Sequence, residues 1–186
     1  MSNHEYIQKY VALLRGINLG RRRVKMDHLR SLFEELRFSA VSTFIASGNV
    51  IFETGTEDER AIERQIERHL KNALGYEVET FIRTADEIES IADFQPFAAA
   101  EPEAPGNTLH VSFFREAIRK PVARKLLSCR TDVDDFCVKG RELYWLCRVR
   151  TTESTVWNSA AMKAISLPSS TMRNINTIRR LAVKLV

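Results

Sequence analysis

The spacing of apolar residues changes several times along the first half of the chain. The run KYVALLRG is apolar up to Arg15, which predicts a buried strand. Beyond Asp27, apolar residues recur every three or four positions and predict a helix. SAVSTFIA and VIFET then predict a pair of strands. A helix follows, opened by a capping box of Thr56 with Glu59 and ended by Gly75. YEVETFIR predicts a closing strand, and a second capping box, Thr84 with Glu87, predicts a short helix.

The second half repeats this order with one difference. TLHVSFF predicts a strand, and Pro121 suits the first turn of the following helix. DFCVK and ELYWLCRV predict a hairpin around Gly140. We then expect a helix from about Ser154 and a basic last helix, with STMRNINT, residues 170–177, at the start of that last helix. No closing strand is predicted in this half.

Both halves therefore follow the order strand, helix, strand, strand, helix. This is the order of ferredoxin-like folds. We predict an α+β protein of two ferredoxin-like (βαββα) halves, with mainly antiparallel sheets and helices packed on one face. Residues 95–107 hold three of the five prolines and predict a linker. The predicted domains are thus residues 1–94 and 108–186.

Composition says more about the expected location of the protein in the cell than about its function. The chain has 186 residues, is 44% apolar and carries a formal charge of +4, which permits an anionic partner without requiring one. The cysteines Cys129, Cys137 and Cys147 are odd in number and lack metal-binding spacing, so we expect free thiols. No signal or membrane segment is evident near the start, and we expect a cytoplasmic protein without a membrane partner.

The stretch FIASGNVIF places three polar residues between the two strands of the first hairpin. A Gly-Asn loop predicts a two-residue type II′ turn with Gly48 at its first central position. Ser47 and Asn49 are then either tolerated in a turn or held there as hydrogen-bonding groups for a ligand.

Two further segments allow both a structural and a binding interpretation. LLRGINLGRRR resembles a phosphate loop, but it lacks the Walker spacing and the following Lys-Ser or Lys-Thr. Arg15 then either pairs with a carboxylate at the strand end or binds a ligand. In STMRNINT, Arg173 beside a helix start favours an anion, whereas Thr171 or Asn174 could simply cap that helix.

Catalytic patterns are sparse. The histidines His4, His28, His69 and His110 are scattered, and no hydrolase or zinc-protease motif occurs. The sequence therefore assigns no reaction, no cofactor and no metal site.

Taken together, LRGINLG, KM at a helix start, SGNVIF and RNINT resemble the bacterial domain-of-unknown-function family 1697 over nearly the whole chain. The resemblance implies an α+β fold with ferredoxin-like parts and implies no activity. It also favours a shared polar surface for the three motifs. The candidate ligand-binding residues on that surface are Arg15, Asn18, Ser47, Asn49, Arg173, Asn174, Asn176 and Thr177.

Three functions remain open at this point. The first is binding of a small ligand bearing a phosphate or a carboxylate. The second is binding of nucleic acid through the basic segments GRRRVK and REAIRKPVARK. The third is a structural or assembly role, in which LYWLCRV forms an exposed strand edge that pairs with another copy.

Overall fold

The structure is a computed structural model that describes residues 7–56, 58–98 and 101–186. Its contacts divide the chain into two compact units. Unit 1 comprises Met1–Ile91 together with Leu181–Val186, and unit 2 comprises Ala92–Arg180. Residues 92–107, most of which fall in the predicted linker, are thus counted with unit 2.

The described part of unit 1 contains four strands and three helices, in the order that the sequence pattern predicts. Its elements are β1 (Gln8–Leu14), α1 (Met26–Glu34), β2 (Ser39–Phe44), β3 (Asn49–Thr54), α2 (Glu59–Leu74), β4 (Thr80–Thr84) and α3 (Ala85–Asp93), whose last two residues are counted with unit 2. The strands form one antiparallel sheet in the order β2-β3-β1-β4.

The core of unit 1 lies between the helices α1 and α2 and one face of this sheet. The apolar stripes of both helices pack on alternate residues of β1 and on Phe52 of β3. The intervening residues Val11 and Leu13 are also fully buried. Because both faces of β1 are covered, the strand is apolar throughout instead of alternating, as its sequence indicates.

Unit 2 repeats the same strand order. Its elements are β5 (Thr108–Phe114), α4 (Lys120–Leu127), β6 (Asp134–Lys139), β7 (Glu142–Cys147), a 3-10 turn (Val156–Asn158), α5 (Ala160–Lys163), β8 (Ser170–Asn174) and α6 (Ile175–Leu185), of which the residues from Leu181 onward are counted with unit 1. Its sheet is antiparallel in the order β6-β7-β5-β8. Two sheets with this shared order confirm the predicted α+β, ferredoxin-like fold class.

The structure corrects the prediction for the end of unit 2. STMRN forms the strand β8 and does not begin a helix, so this half also has a closing strand. The helix expected from about Ser154 is broken into a 3-10 turn and α5, because the Ser159 hydroxyl accepts a hydrogen bond from the Met162 amide and starts a new helix there. LYWLCRV is mostly β7, which lies inside the sheet and offers no edge for a second copy.

Gly75 ends α2 in a left-handed conformation, as predicted, and one of the two predicted capping boxes is present. Thr84 and Glu87 form a reciprocal capping box, with each backbone amide donating to the other side chain at 3.0 and 3.2 Å. For α2, however, the cap is Asp58, whose carboxylate accepts from the amides of Arg60 and Ala61. The predicted pair of Thr56 with Glu59 does not cap this helix, because Asp58 lies nearer to its first turn.

The two hairpins differ in how well their turns were predicted. Between β6 and β7, Lys139 pairs with Glu142, so the turn has two residues, and Cys137 lies opposite Tyr144, as expected. All three cysteines are free. Between β2 and β3, Phe44 pairs with Asn49, so the loop has four residues and Gly48 is its last. The predicted two-residue type II′ turn is therefore wrong, although Gly48 does have a positive φ of 78°.

Within the part of the chain that the structure describes, no helix combines the length and apolar character required to cross a bilayer.

Candidate functional site

The loop after β1 is organised by the side chain of Asn18. Its Nδ2 donates to the carbonyl of Ala46 at 3.0 Å, and its Oδ1 accepts from the amide of Val24 at 2.7 Å. Gly16 and Gly20 flank it with φ near 65°, a left-handed conformation that glycine adopts without strain. Asn18 thus fixes the shape of this loop and joins it to the β2–β3 hairpin loop.

Gly48 brings the two loops into direct contact. Its carbonyl accepts a hydrogen bond from the Leu14 amide at 2.8 Å. A side chain at this position would begin 2.5 Å from the Ile17 Cγ2 atom, which is too close for any residue except glycine. The RGIN and SGN motifs therefore pack together within unit 1.

Asn49 closes the hairpin loop from inside. It is fully buried, and its Nδ2 donates to the Phe44 carbonyl and to the Ser47 hydroxyl, each at 3.0 Å. Ser47 is exposed at the tip of the loop. Of these two candidate residues, Ser47 alone is available to solvent, while Asn49 holds it in place.

Arg15 forms an ion pair at the end of β1. Its guanidinium contacts the carboxylate of Glu79, and its backbone amide donates to the Glu79 carbonyl at 2.8 Å. Its side chain is about half exposed, at 52%. This is the strand-end pairing that the sequence left open as the structural interpretation.

The remaining candidate residues belong to unit 2, so each group is described within its own unit. Arg173 lies on β8 and is only 8% exposed, instead of standing at a helix start as predicted. Its Nη1 donates to the Thr171 hydroxyl and the Met172 carbonyl, and burial lowers its pKa to about 10. Asn174 accepts from the Asn176 amide at 2.8 Å and so caps α6. Thr177, on the first turn of α6, is half-buried.

A cleft of about 400 Å³ lies beside the loop after β1 in unit 1. Basic side chains dominate its polar lining: Arg23, Lys25 and His28. Its other lining residues are Val24, Ala73, Leu74 and Tyr76. No carboxylate is among them, so the lining is suited to an anion.

Tyr76 connects this cleft to the loop after β1. Its hydroxyl donates to the Ile17 carbonyl at 3.0 Å. The guanidinium of Arg22 lies over its ring, 4.3 Å from the centroid, in a cation–π contact. These two contacts hold the Tyr76 ring against the basic loop at one side of the cleft.

Arg23 is held by backbone atoms of its own loop. Its Nη1 donates to the carbonyls of Asn18, Gly20 and Arg22 at distances of 3.2, 2.9 and 2.7 Å. Its Nε and Nη2 form no hydrogen bond with any described residue, which leaves part of a rigidly placed guanidinium for a ligand.

This cleft is only partly evident from the sequence. The run GRRRVK indicates a basic loop, but the approach of Tyr76 and of the end of α2 depends on tertiary packing. The sequence shows His28 as one of four scattered histidines. The structure places it near the start of α1, where it lines the same cleft as Lys25 and Arg23.

In the described residues, no group of three or more histidine, cysteine, aspartate or glutamate side chains is placed to hold a metal ion. The polar groups of the cleft are instead nitrogen donors. Charged nitrogen donors are groups that hydrogen-bond to phosphates and carboxylates.

Comparison with known proteins agrees with the class that the fold defines, an α+β protein of two ferredoxin-like halves. A solved structure, that of conserved bacterial protein SP0830 from Streptococcus pneumoniae, matches with a TM-score of 0.72 and 19% identity. The match covers 97% of this chain and 99% of that one, and at this identity it shows the fold alone. A search of curated proteins gives no match.

The sequence profile of the protein family of unknown function DUF1697 matches residues 7–144. The chain therefore belongs to this family, as LRGINLG and SGNVIF indicated, whereas RNINT lies beyond the matched residues.

Proposed function

We propose that unit 1 binds a small anionic ligand, bearing a phosphate or a carboxylate, in the cleft beside the loop after β1. The observation that carries the proposal is the lining itself. Three basic side chains, Arg23, Lys25 and His28, surround one cavity that no carboxylate lines among the described residues. The positive charges of Arg23 and Lys25 attract an anion, and the His28 ring adds a hydrogen-bonding group beside them.

The two basic side chains nearest to α1 are not engaged elsewhere. Lys25 and His28 form no hydrogen bond or ion pair with any described residue. Lys25 is also the N-cap residue of α1, and its side chain accepts no hydrogen bond from the amides of the first turn. The positive end of a helix with uncapped amides adds to the attraction of the basic side chains for an anion.

The size of the cleft sets the class of ligand. A volume of about 400 Å³ lies near the lower end of the range for small-molecule sites. The Tyr76 ring supplies an apolar surface beside the charged groups. A compact metabolite with one anionic group and one flat or apolar part suits this combination.

Thermal denaturation with a panel of phosphate, nucleotides, sugar phosphates and small carboxylates tests the proposal. A ligand at 100 times its dissociation constant stabilises the folded chain by about 2.7 kcal/mol. For a chain of this size the melting midpoint then rises by roughly 5 to 10 °C. We expect at least one compound in the panel to give such a shift, and a panel with no shift overturns the proposal.

Charge-removing variants locate the site. Lys25→Ala and Arg23→Ala should each remove the shift. Arg30→Ala is the matched control, because Arg30 lies on the same helix but pairs with Asp27 and Glu34. Arg15→Ala and Arg173→Ala test the wider set of residues predicted from the sequence. If these two remove the shift while Lys25→Ala keeps it, the ligand binds at that set and not in the cleft.

Nucleic-acid binding is supported by one observation, the basic face of α4. Arg119, Lys120, Arg124 and Lys125 are exposed there and pair with no described residue. Against it, the strand aromatics Phe52, Phe113 and Phe114 are buried and offer no surface on which bases stack. A filter-binding titration decides this alternative, since phosphate contacts make affinity fall steeply with salt.

A further inference from the structure

Each sheet of the molecule has two edge strands, whose outward backbone groups are templates for pairing with another strand. Proteins normally block such edges with charges, bulges or covering elements. From the strand orders, the edges are β2 and β4 in unit 1, and β6 and β8 in unit 2. The features found on the four edges differ, and the difference singles out β8.

The edge of β4 is blocked by three carboxylates. The outward amides of Thr80, Ile82 and Thr84 donate in turn to Glu67, Glu63 and Glu87, at 2.9, 3.2 and 3.0 Å. Every second amide of the strand is thus already satisfied by a negatively charged side chain. An incoming strand would have to displace these carboxylates, which makes pairing unfavourable.

The edges of β2 and β6 are blocked in other ways. The register of β2 shifts between Ser39 and Ser42, and Ala40 there has a left-handed φ of 48°, which bends the edge. On β6, the Phe136 amide donates to the Asp135 carboxylate and its carbonyl accepts from Arg130, at 2.8 and 2.9 Å. Charged side chains therefore occupy the centre of that edge.

The direction of the backbone groups on β8 follows from β5. The Phe114 amide donates toward the β7 side, to the Arg141 carbonyl, so the neighbouring residue Phe113 faces β8. Phe113 pairs with Thr171, and Val111 pairs with Arg173. The alternate residues of β8, which are Ser170, Met172 and Asn174, therefore direct their backbone groups away from the sheet.

Among the described residues, the outward amides of β8 lack the side-chain acceptors that occupy those of β4 and β6, although the Met172 carbonyl accepts from an arginine, as the Phe136 carbonyl does on β6. Among the described residues, the Met172 amide has no hydrogen-bond partner, and its carbonyl accepts only from Arg173, which leaves a second lone pair. The Met172 side chain is 36% exposed. Ser170 and Asn174 are uncharged, and the strand contains no proline.

We propose that β8 pairs with β8 of a second copy of the chain, antiparallel and about a two-fold axis at Met172. In this register Met172 lies opposite Met172 of the second copy, and Ser170 lies opposite Asn174 of the second copy. The two apolar side chains are therefore neighbours at the axis, and a serine hydroxyl is next to an asparagine amide on each side of it. This self-complementarity is what a two-fold interface requires, and it is the reason for choosing a second copy as the partner.

The length of the strand sets the strength of the pairing. Two five-residue strands bury far less than the roughly 1,200 Å² of a stable interface. The dimer should therefore be weak, with a dissociation constant between about 10 μM and 1 mM. This interface is independent of the ligand cleft in unit 1, so the two proposals fail separately.

Sedimentation velocity over protein concentrations from about 10 μM to about 1 mM tests the proposal. The wild-type mass average should rise from monomer toward dimer. Met172→Pro should stay monomeric, because proline removes the outward amide without touching the hydrogen bonds to β5. Should that variant fail to fold, as judged by circular dichroism, Met172→Lys places like charges on the axis instead. Val183→Lys is the matched control, since it removes an apolar side chain that is 78% exposed and lies on α6.

Cysteine cross-linking tests the register. Two Met172→Cys chains would lie about 5.5 Å apart at Cα, within the range of a disulfide, whereas two Ser170→Cys chains would not meet. Oxidation should thus give a covalent dimer for the first variant and not for the second. A wild type that stays monomeric at about 1 mM, a dimer that Met172→Pro leaves intact, or equal cross-linking by both variants overturns the proposal.

Discussion

A side chain at position 48 has no room, because the backbone there lies against Leu14 and Ile17. Gly48→Ala adds a Cβ atom 2.5 Å from the Ile17 Cγ2 atom, at a φ of 78°. Left-handed strain costs about 1 to 2 kcal/mol, and forced repacking of a core contact costs about 1 to 3 kcal/mol. We expect chemical denaturation to show a loss of about 2 to 5 kcal/mol.

Gly20→Ala is the matched control for this prediction. Gly20 has a similar φ of 65°, but a Cβ there meets nothing within 4 Å. Only the strain should remain, so its loss should be smaller by about 1 to 3 kcal/mol. Equal losses in the two variants would mean that the contact with Ile17 is not the cause.

His110 gives unit 2 a dependence on pH. Its ring stacks on Trp145 with centroids 5.2 Å apart, and its Nε2 is buried without a hydrogen-bond partner among the described residues. Burial lowers the pKa of His110. Below the unfolded value of about 6.5, the unfolded chain therefore binds more protons than the folded chain. The free energy of unfolding should fall as pH drops from 7 to 5, by at most about 1.4 kcal/mol per pH unit.

Denaturation of the wild type and of His110→Phe across this pH range checks the sign. Phenylalanine keeps a ring against Trp145 but does not titrate, so the variant should lose less stability toward pH 5. A variant curve parallel to that of the wild type would assign the pH dependence to other groups.

At the scale of elements, Asp134 holds the start of β6 to the loop before the 3-10 turn. It is 1% exposed. Its carboxylate accepts from the Trp145 indole, the Ser154 hydroxyl and the Thr131 hydroxyl, at 2.8, 2.7 and 2.9 Å. Asp134→Ala leaves buried donors unpaired and should cost about 3 kcal/mol.

Tryptophan fluorescence during denaturation measures this loss, because Trp145 is one of the three donors. The control is Asp132→Ala, which changes a neighbouring exposed aspartate and should cost less than about 0.5 kcal/mol. If both variants unfold at the same denaturant concentration as the wild type, the network does not contribute to the stability of unit 2.

Elements with a clear apolar period were predictable, and elements defined by polar contacts were not. TLHVSFF was predicted at its full length, because four of its residues are apolar and it contains no breaker. In STMRN, only Met172 is apolar, and it is the exposed one, while Thr171 and Arg173 are buried. A strand that buries its polar residues gives no period-two signal in hydrophobicity, so STMRN was assigned to the following helix.

At the scale of the whole molecule, the two units share the same strand order, and each has an arginine at the same position of its last strand. Arg83 on β4 pairs with Val11, and Arg173 on β8 pairs with Val111, at the same register. Each donates from Nη1 to the carbonyl of the preceding residue, at 2.7 and 2.9 Å. The repeat is structural, since the two halves share little sequence beyond such positions.

The same comparison explains why the candidate site was only partly predictable. The contact between RGIN and SGN follows from strand order, because β1 and β3 are neighbours and their loops lie at one end of the sheet. Sequence spacing cannot show that Asn49 is fully buried or that Arg15 meets Glu79, 64 positions away. The partners of Asn49 and Arg15 depend on which strands become neighbours. The residue types alone are compatible with several different partners.

The sequence predicts a linker over residues 95–107, and the contacts of the chain count this segment with unit 2. Residues 99 and 100 lie outside the described part of the chain, and two ion pairs tie the segment to the rest of unit 2. Glu101 accepts from Arg148 at 2.7 Å, its carbonyl accepts from the Asn107 side chain at 2.7 Å, and Glu103 pairs with Arg179. These contacts are exposed or half-buried, so each adds little against local opening.

We therefore predict that a broad-specificity protease first cuts the native chain within residues 95–107. The segment is rich in proline, alanine and glutamate and contributes little to either core. Glu101→Gln should increase the rate of this cut severalfold, because it weakens the pair with Arg148, whereas Glu89→Gln on the exposed side of α3 should not. Mass spectrometry of the first fragments identifies the position. A first cut within residues 57–74 would instead mean that α2 opens before the segment does, and that residues 1–94 do not fold as one unit.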